Sequence, residues 1–211
     1  MANQPQQPDT ALHNASHLMQ YHDLIESIVA ALDARDAYTA SHSDRVADMV
    51  LVLAAALGLD EATRIHMAAH LHDIGKIAVP DSVLRKAGPL TRPEWEEMRR
   101  HPVTGYEILR KVDDFKGIAI LVRHHHERWD GRGYPDGLSG HDIPPGSRVI
   151  AVADSIDAMM SSRSYRPAMT SAACRREIEK NSGIMYDPRV AAAALEHWDE
   201  LVSRYAEADT P

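Results

Sequence analysis

Cysteine is nearly missing from this chain. Cys174 is the single one among 211 residues, which excludes a disulfide framework and a thiolate-rich zinc site. No run of about 18 apolar residues occurs, so no membrane-spanning helix is expected. The opening MANQPQQPDT lacks the basic start and apolar stretch of a secretory signal, and a cytoplasmic location is the expectation. Positive charge is scarce too. Against 31 Asp and Glu stand 23 Lys and Arg, a net −8, too little cation to neutralise duplex nucleic acid. A small phosphate-bearing ligand held in a local cationic pocket stays compatible with that balance. Period-two alternation, internal repeats and long heptads are also missing, which argues against sheet, solenoid and coiled coil.

What is present is 44% hydrophobic residue and 26% charge, enough apolar material for a sizeable core. Residues 1–15 are rich in Gln, Pro, Asn and Asp and read as a flexible tail. Residues 16–207 read as one all-α domain. Leu18, Tyr21, Leu24, Ile25, Ile28, Val29 and Leu32 recur at three- and four-residue steps and mark one apolar helix face. Val46 to Leu57 makes a second helix ended by Gly58, and Asp60 is placed to cap a third that runs towards His72 and Asp73. Thr91-Arg-Pro-Glu94 has the form of a capping box, and Thr104 to Val112 continues helically with Ile108 and Leu109 inward. Helices are further expected over 118–126, 147–162 and 171–181. A last one opens at Asp187-Pro188 and runs through Trp198 and Leu201. Residues 127–147 hold five glycines and three prolines and read as a structured loop.

Histidine is the residue in excess, with 13 copies. Candidate ligands fall at His42, His72-Asp73, His101, His124-His125-His126 and Asp154, an imidazole and carboxylate set suited to zinc, iron, manganese or nickel. Asp154 lies inside the apolar stretch Val149-Ile-Ala-Val-Ala-Asp154, where an ionised carboxylate is costly unless paired or metal-bound. His13, His17, His22, His66, His141 and His197 read instead as ordinary surface or hydrogen-bonded histidines. His70 and His124 flank stronger positions and point elsewhere on their helices.

These segments form a linear series. His72-Asp-Ile-Gly-Lys76-Ile-Ala-Val-Pro80-Asp81 resembles the HD motif of metal-dependent phosphohydrolases. His125-His-Glu-Arg-Trp-Asp-Gly-Arg-Gly133-Tyr-Pro135 resembles the defining stretch of the HD-GYP family. His101-Pro-Val-Thr-Gly105, Val152-Ala-Asp154-Ser-Ile-Asp157 and Arg163-Ser-Tyr-Arg166-Pro match in order, so the resemblance runs over residues 25 to 200. It implies a helical domain with a metal centre that hydrolyses cyclic di-GMP. The alternatives are another nucleotide or phosphate ester as substrate, or a binding module with little turnover.

The same resemblance implies His42, His72, Asp73, His101, His125, His126 and Asp154 as ligands, with Asp73 between two ions, iron or manganese. Two cations about 3.5–4 Å apart can share a hydroxide and stabilise both oxygens of an in-line displacement. Lys76 would contact the scissile phosphate, or serve only as a helix-end cation. Arg163 and Arg166 resemble a phosphate-gripping pair, for which the arginine fork is suited. Tyr134 would stack on a guanine or line the pocket wall. Gly133, Tyr134 and Pro135 would also offer a patch to diguanylate-cyclase domains. Members with a third metal carry a glutamate where this chain has Tyr38, so two ions are expected. Asp36 is out of phase with His42, and Asp81 is the nearby loop carboxylate open to a third site.

Overall fold

The computed structural model describes residues 20–35, 41–162 and 167–206. The tail at 1–15, Asp36, Tyr38, Arg163 and Arg166 lie outside the described residues. Every regular element among them is helical, and a lone bridge between Ser182 and Tyr186 is the one trace of β pairing.

The chain order is α1 (His22–Asp33), α2 (His42–Ala56), α3 (Ala62–Leu71), a 3-10 turn (Ile74–Ala78), α4 (Asp81–Leu84), α5 (Arg92–Met98), α6 (His101–Leu109) and α7 (Lys116–His124). It continues with α8 (Pro145–Met160), α9 (Ser171–Lys180), α10 (Pro188–Glu196), α11 (Trp198–Leu201) and α12 (Ser203–Ala206). Helix α2 packs on α3 and α8, α3 on α7, and α6 on both α7 and the 3-10 turn. The core between them is aliphatic, with Val46, Val50, Leu53, Met67, Ile118, Val122, Ile150 and Ile156 all buried. Each recurs at helical spacing on its own element, which is why the sequence pattern located these helices.

Local signals act as the sequence suggests at several ends. Glu94 accepts from the Thr91 backbone N–H at 2.7 Å and from its hydroxyl at 2.8 Å. Asp187 caps α10 by accepting from the Arg189 N–H at 2.8 Å. Gly58 follows α2 with φ of 63°, a left-handed value that glycine adopts without strain.

Four expectations are corrected. Residue Glu61, not Asp60, precedes α3, and no side chain caps it. Only Ile25, Val29 and Leu32 of α1 reach the core, on the side packed against α3 and the 3-10 turn, while Leu24 and Ile28 face outward and are exposed. Leu109 is buried, but Ile108 one residue earlier turns outward. The last helix breaks at His197 into short pieces.

Two glycines bring the site's elements together. A Cβ on Gly75 would lie 1.9 Å from the His101 carbonyl oxygen and 2.6 Å from the Gly105 nitrogen. The 3-10 turn therefore rests directly on the backbone of α6. Gly105 in turn meets Val122 of α7, where a Cβ would stand 2.9 Å from its methyl. These contacts carry Asp73, His101 and His125 to one point.

Candidate metal centre

The start of α2, the end of α3, the start of α6, the end of α7 and the middle of α8 converge there. His42, His72 and Asp154 form one group whose ligand atoms lie within 4.8 Å of one another, and His101, His125 and His126 form a second. Between the groups sits Asp73. Its Oδ2 lies 3.4 Å from Nε2 of His72 and 3.9 Å from Nε2 of His42. Its Oδ1 lies 3.3 Å from Nε2 of His101 on the opposite side. Nε2 of His42 is also 3.5 Å from Oδ1 of Asp154, and Nε2 atoms of His101 and His125 are 3.3 Å apart.

The ring orientations are set by the backbone. Nδ1 of His72 pairs with the Ala69 carbonyl at 2.6 Å, that of His101 with Met98 at 2.8 Å, and that of His125 with Val122 at 2.6 Å. In each case the carbonyl belongs to the residue three positions earlier, so the helical turn itself leaves Nε2 free to ligate. His42 uses a carboxylate instead: its Nδ1 lies 2.6 Å from Oδ2 of Asp157. Asp157 is buried and also accepts from Arg45 Nε at 2.5 Å and from the Tyr205 hydroxyl.

Electrostatics follow from this packing. Burial pushes the Asp73 carboxyl up, but Lys76, His72 and His101 outweigh it and hold the group well below the usual carboxylate range. Burial drives His101 down to about 4, and holds His125 and His126 well below the ordinary imidazole value. Burial also opposes charge on His72, but Asp73 and Asp154 lift it to about 9. His101, His125 and His126 are thus neutral and Asp73 ionised, as a divalent ion needs of its ligands, whereas His72 would give up its proton on binding one. Two carboxylates and five imidazoles converge there, a nitrogen and oxygen donor set that fits such an ion.

Lys76 Nζ donates to Asp73 Oδ2 at 2.6 Å, so it stands at the centre, within reach of an anion placed there. The ring of Tyr134 lies 4.8 Å from that of His126, and the Arg99 guanidinium lies over it at 4.5 Å. Burial and the nearby Asp154 and Asp73 raise its phenol, which keeps the O–H protonated. Gly133 is held by close approach: a Cβ there would stand 2.3 Å from the Arg128 nitrogen. Gly133, Tyr134 and Pro135 are half-buried rather than an open patch. Asp81, the carboxylate considered for a third ion, pairs with Arg35 at 2.8 Å instead. Arg35 also binds the Lys76, Ile77 and Val79 carbonyls.

Sequence reasoning missed Asp157, although it lies three residues after Asp154 and so on the same helical side. It is more buried than Asp154, which keeps some exposure in the cleft. Glu127 was also missed. It is buried and accepts from the Asp136 and Gly137 N–H groups at 2.7 and 3.0 Å, holding the loop in place. Nothing in its local sequence signals that role.

A family model described as HD domain matches residues 22–190. This chain belongs to the HD-domain family. The HD domain is 42% identical over 177 residues to the cyclic di-GMP phosphodiesterase response regulator RpfG of Xanthomonas campestris, covering 82% of this chain and 47% of that protein. It is 40% identical over 188 residues to 3'3'-cGAMP-specific phosphodiesterase 2 of Vibrio cholerae, covering 86% of this chain and 35% of that one. The HD domain thus spans half or less of these relatives' lengths. Among solved structures it resembles an HDG"Y"P protein from Bdellovibrio bacteriovorus, with a TM-score of 0.62 at 17% identity, over 90% of this chain and 69% of that one. That likeness agrees with the helical fold. No helix among the described residues is long and apolar enough to cross a membrane.

Proposed function

We propose that this HD domain is a metal-dependent phosphodiesterase that hydrolyses cyclic di-GMP at a binuclear centre. The observation that carries the reading is the position of Asp73, one oxygen turned to His42 and His72 and the other to His101. His42, His72 and Asp154 would hold one ion, His101, His125 and His126 the other, and Asp73 both. Two divalent cations, iron or manganese, would supply Lewis-acid polarisation of the phosphodiester and a water acidic enough to attack near neutral pH.

The chain's own residues do the rest. Lys76 places a cation where phosphate charge accumulates. Tyr134, packed on His126 and Arg99, serves as pocket wall with a protonated hydroxyl facing the centre's charge, in preference to a stack on guanine. Arg163 and Arg166 grip the phosphates by family resemblance. Water adds across one phosphodiester bond, opening the ring to a linear dinucleotide. With Tyr38 in place of a glutamate, the centre takes two ions rather than three. Contact with diguanylate-cyclase domains would use the rim of the Gly133–Pro135 loop, where Arg132 and Asp136 are exposed.

The test is hydrolysis of cyclic di-GMP and of 3'3'-cGAMP by the purified chain loaded anaerobically with iron or manganese. Turnover of cyclic di-GMP supports the reading. Tight binding without turnover by fully loaded protein rejects it in favour of a binding module, and turnover of cGAMP alone reassigns the substrate.

A further inference from the structure

Three histidines outside this centre are gathered on the other side of α3. His66 and His70 are one helical turn apart and share a face, and His22 comes to them from the first turn of α1. The rings of His66 and His70 are 4.7 Å apart at 89°, and His22 lies 5.5 Å from His70 and 5.8 Å from His66. One ligand atom from each lies within 4.8 Å of the other two. We propose that His22, His66 and His70 form a second metal site, selective for zinc or a similar late divalent ion, that ties α1 to α3.

The state of the donors supports this. His70 is 5% exposed, and its Nδ1 is buried with no hydrogen bond. The nearest acid, Oδ1 of Asp44, stands 3.5 Å from it. His66 is oriented by the pairing of its Nδ1 with the Ala47 carbonyl at 3.1 Å, which leaves Nε2 as its ligand atom. His72, His101 and His125 of the principal centre are also held through Nδ1 by backbone carbonyls. His22 Nδ1 has Glu26 Oε1 at 3.5 Å. Burial lowers the His66 imidazole, consistent with a neutral donor.

Three imidazoles with a fourth position open to water, Asp44 or Glu26 match the tetrahedral preference of zinc. Such a set binds the late first-row ions far better than manganese, which stands lowest in that order. His72 lies two positions after His70, so their side chains leave opposite sides of the helix and the two sites share no ligand. The second site is therefore independent of the phosphodiesterase reading.

The experiment is a zinc titration of the metal-stripped full chain, read by equilibrium dialysis with elemental analysis. Wild type is compared with His22→Ala and with the His22→Ala/His66→Ala double variant, whose positions avoid the buried His70. Wild type is expected to hold one more zinc per chain than the double variant, with at least tenfold weaker occupancy of that extra site in His22→Ala. Manganese loading is expected to give equal counts in all three. Zinc is also expected to raise the melting temperature of wild type more than that of the variants. Equal zinc content in folded wild type and double variant overturns the proposal. If the double variant is unfolded, equal zinc affinity in wild type and His22→Ala overturns it.

Discussion

Oδ2 of Asp157 lies 2.6 Å from Nδ1 of His42, although 115 residues separate the two in the chain. The carboxylate fixes the ring so that Nε2 faces His72 and Asp154, and Arg45 and Tyr205 fix the carboxylate. Replacing Asp157 by Asn keeps the shape and removes the charge. Metal affinity of Asp157→Asn is expected to fall by about 10–100-fold. Competition with a chromophoric chelator measures it, and unchanged affinity would detach Asp157 from the centre.

Asp73→Ala removes the carboxylate that stands between both triads. Manganese content is expected to drop from two ions per chain towards none, with hydrolysis lost and helical circular dichroism retained. Retention of both ions together with near-normal activity would refute the assignment.

Gly75→Ala places a Cβ against the backbone of His101 and Gly105, neither of which is a flexible side-chain end. The turn must move away from α6, so destabilisation of about 1–3 kcal/mol or more is expected. Urea unfolding reads that loss, and metal affinity should fall with it because Asp73 and His101 separate. Wild-type stability in the variant would contradict the close approach.

Glu94 accepts from Lys86 Nζ at 2.6 Å as well as from Thr91, and these contacts hold its carboxyl down at about 2. A depressed carboxyl contributes stability above its unfolded value, and that contribution is lost as pH falls through the folded one. Glu94→Gln is expected to be less stable than wild type near neutrality, the gap narrowing as pH falls from about 5 towards 2. A gap that stays constant over that range would show that the charge is not what matters.

Arg163→Ala is expected to lower kcat/KM for cyclic di-GMP while leaving metal content unchanged, because its proposed partner is a phosphate. A charge-assisted contact of this kind is worth about 1.5–3 kcal/mol, roughly ten- to hundredfold in rate. Unaltered kinetics would remove Arg163 from the pocket.

The sequence alone determined the helical class and most element positions, and its family resemblance named the residues proposed as ligands. The reason is that these rest on short-range order. Apolar spacing declares a helix wherever it lies, as in Val46, Val50 and Leu53, and Thr91 with Glu94 or Asp187 with Pro188 declare an end. The HD and GYP segments are linear and could be matched in order. What they could not reveal is how much of each face is covered. Leu24, Ile28 and Ile108 look like core from their period, and only the neighbouring helices decide that they are exposed.

Tertiary structure alone decided how the candidate ligands fall into two triads with Asp73 between them, because that depends on where α2, α3, α6, α7 and α8 meet. It also decided that Asp157 is more deeply buried than Asp154, and that Gly133 has no room for a Cβ against the backbone of Glu127 and Arg128. His22, His66 and His70 looked unremarkable one by one. Their convergence is a property of α1 lying on α3, and no local pattern within either helix encodes it.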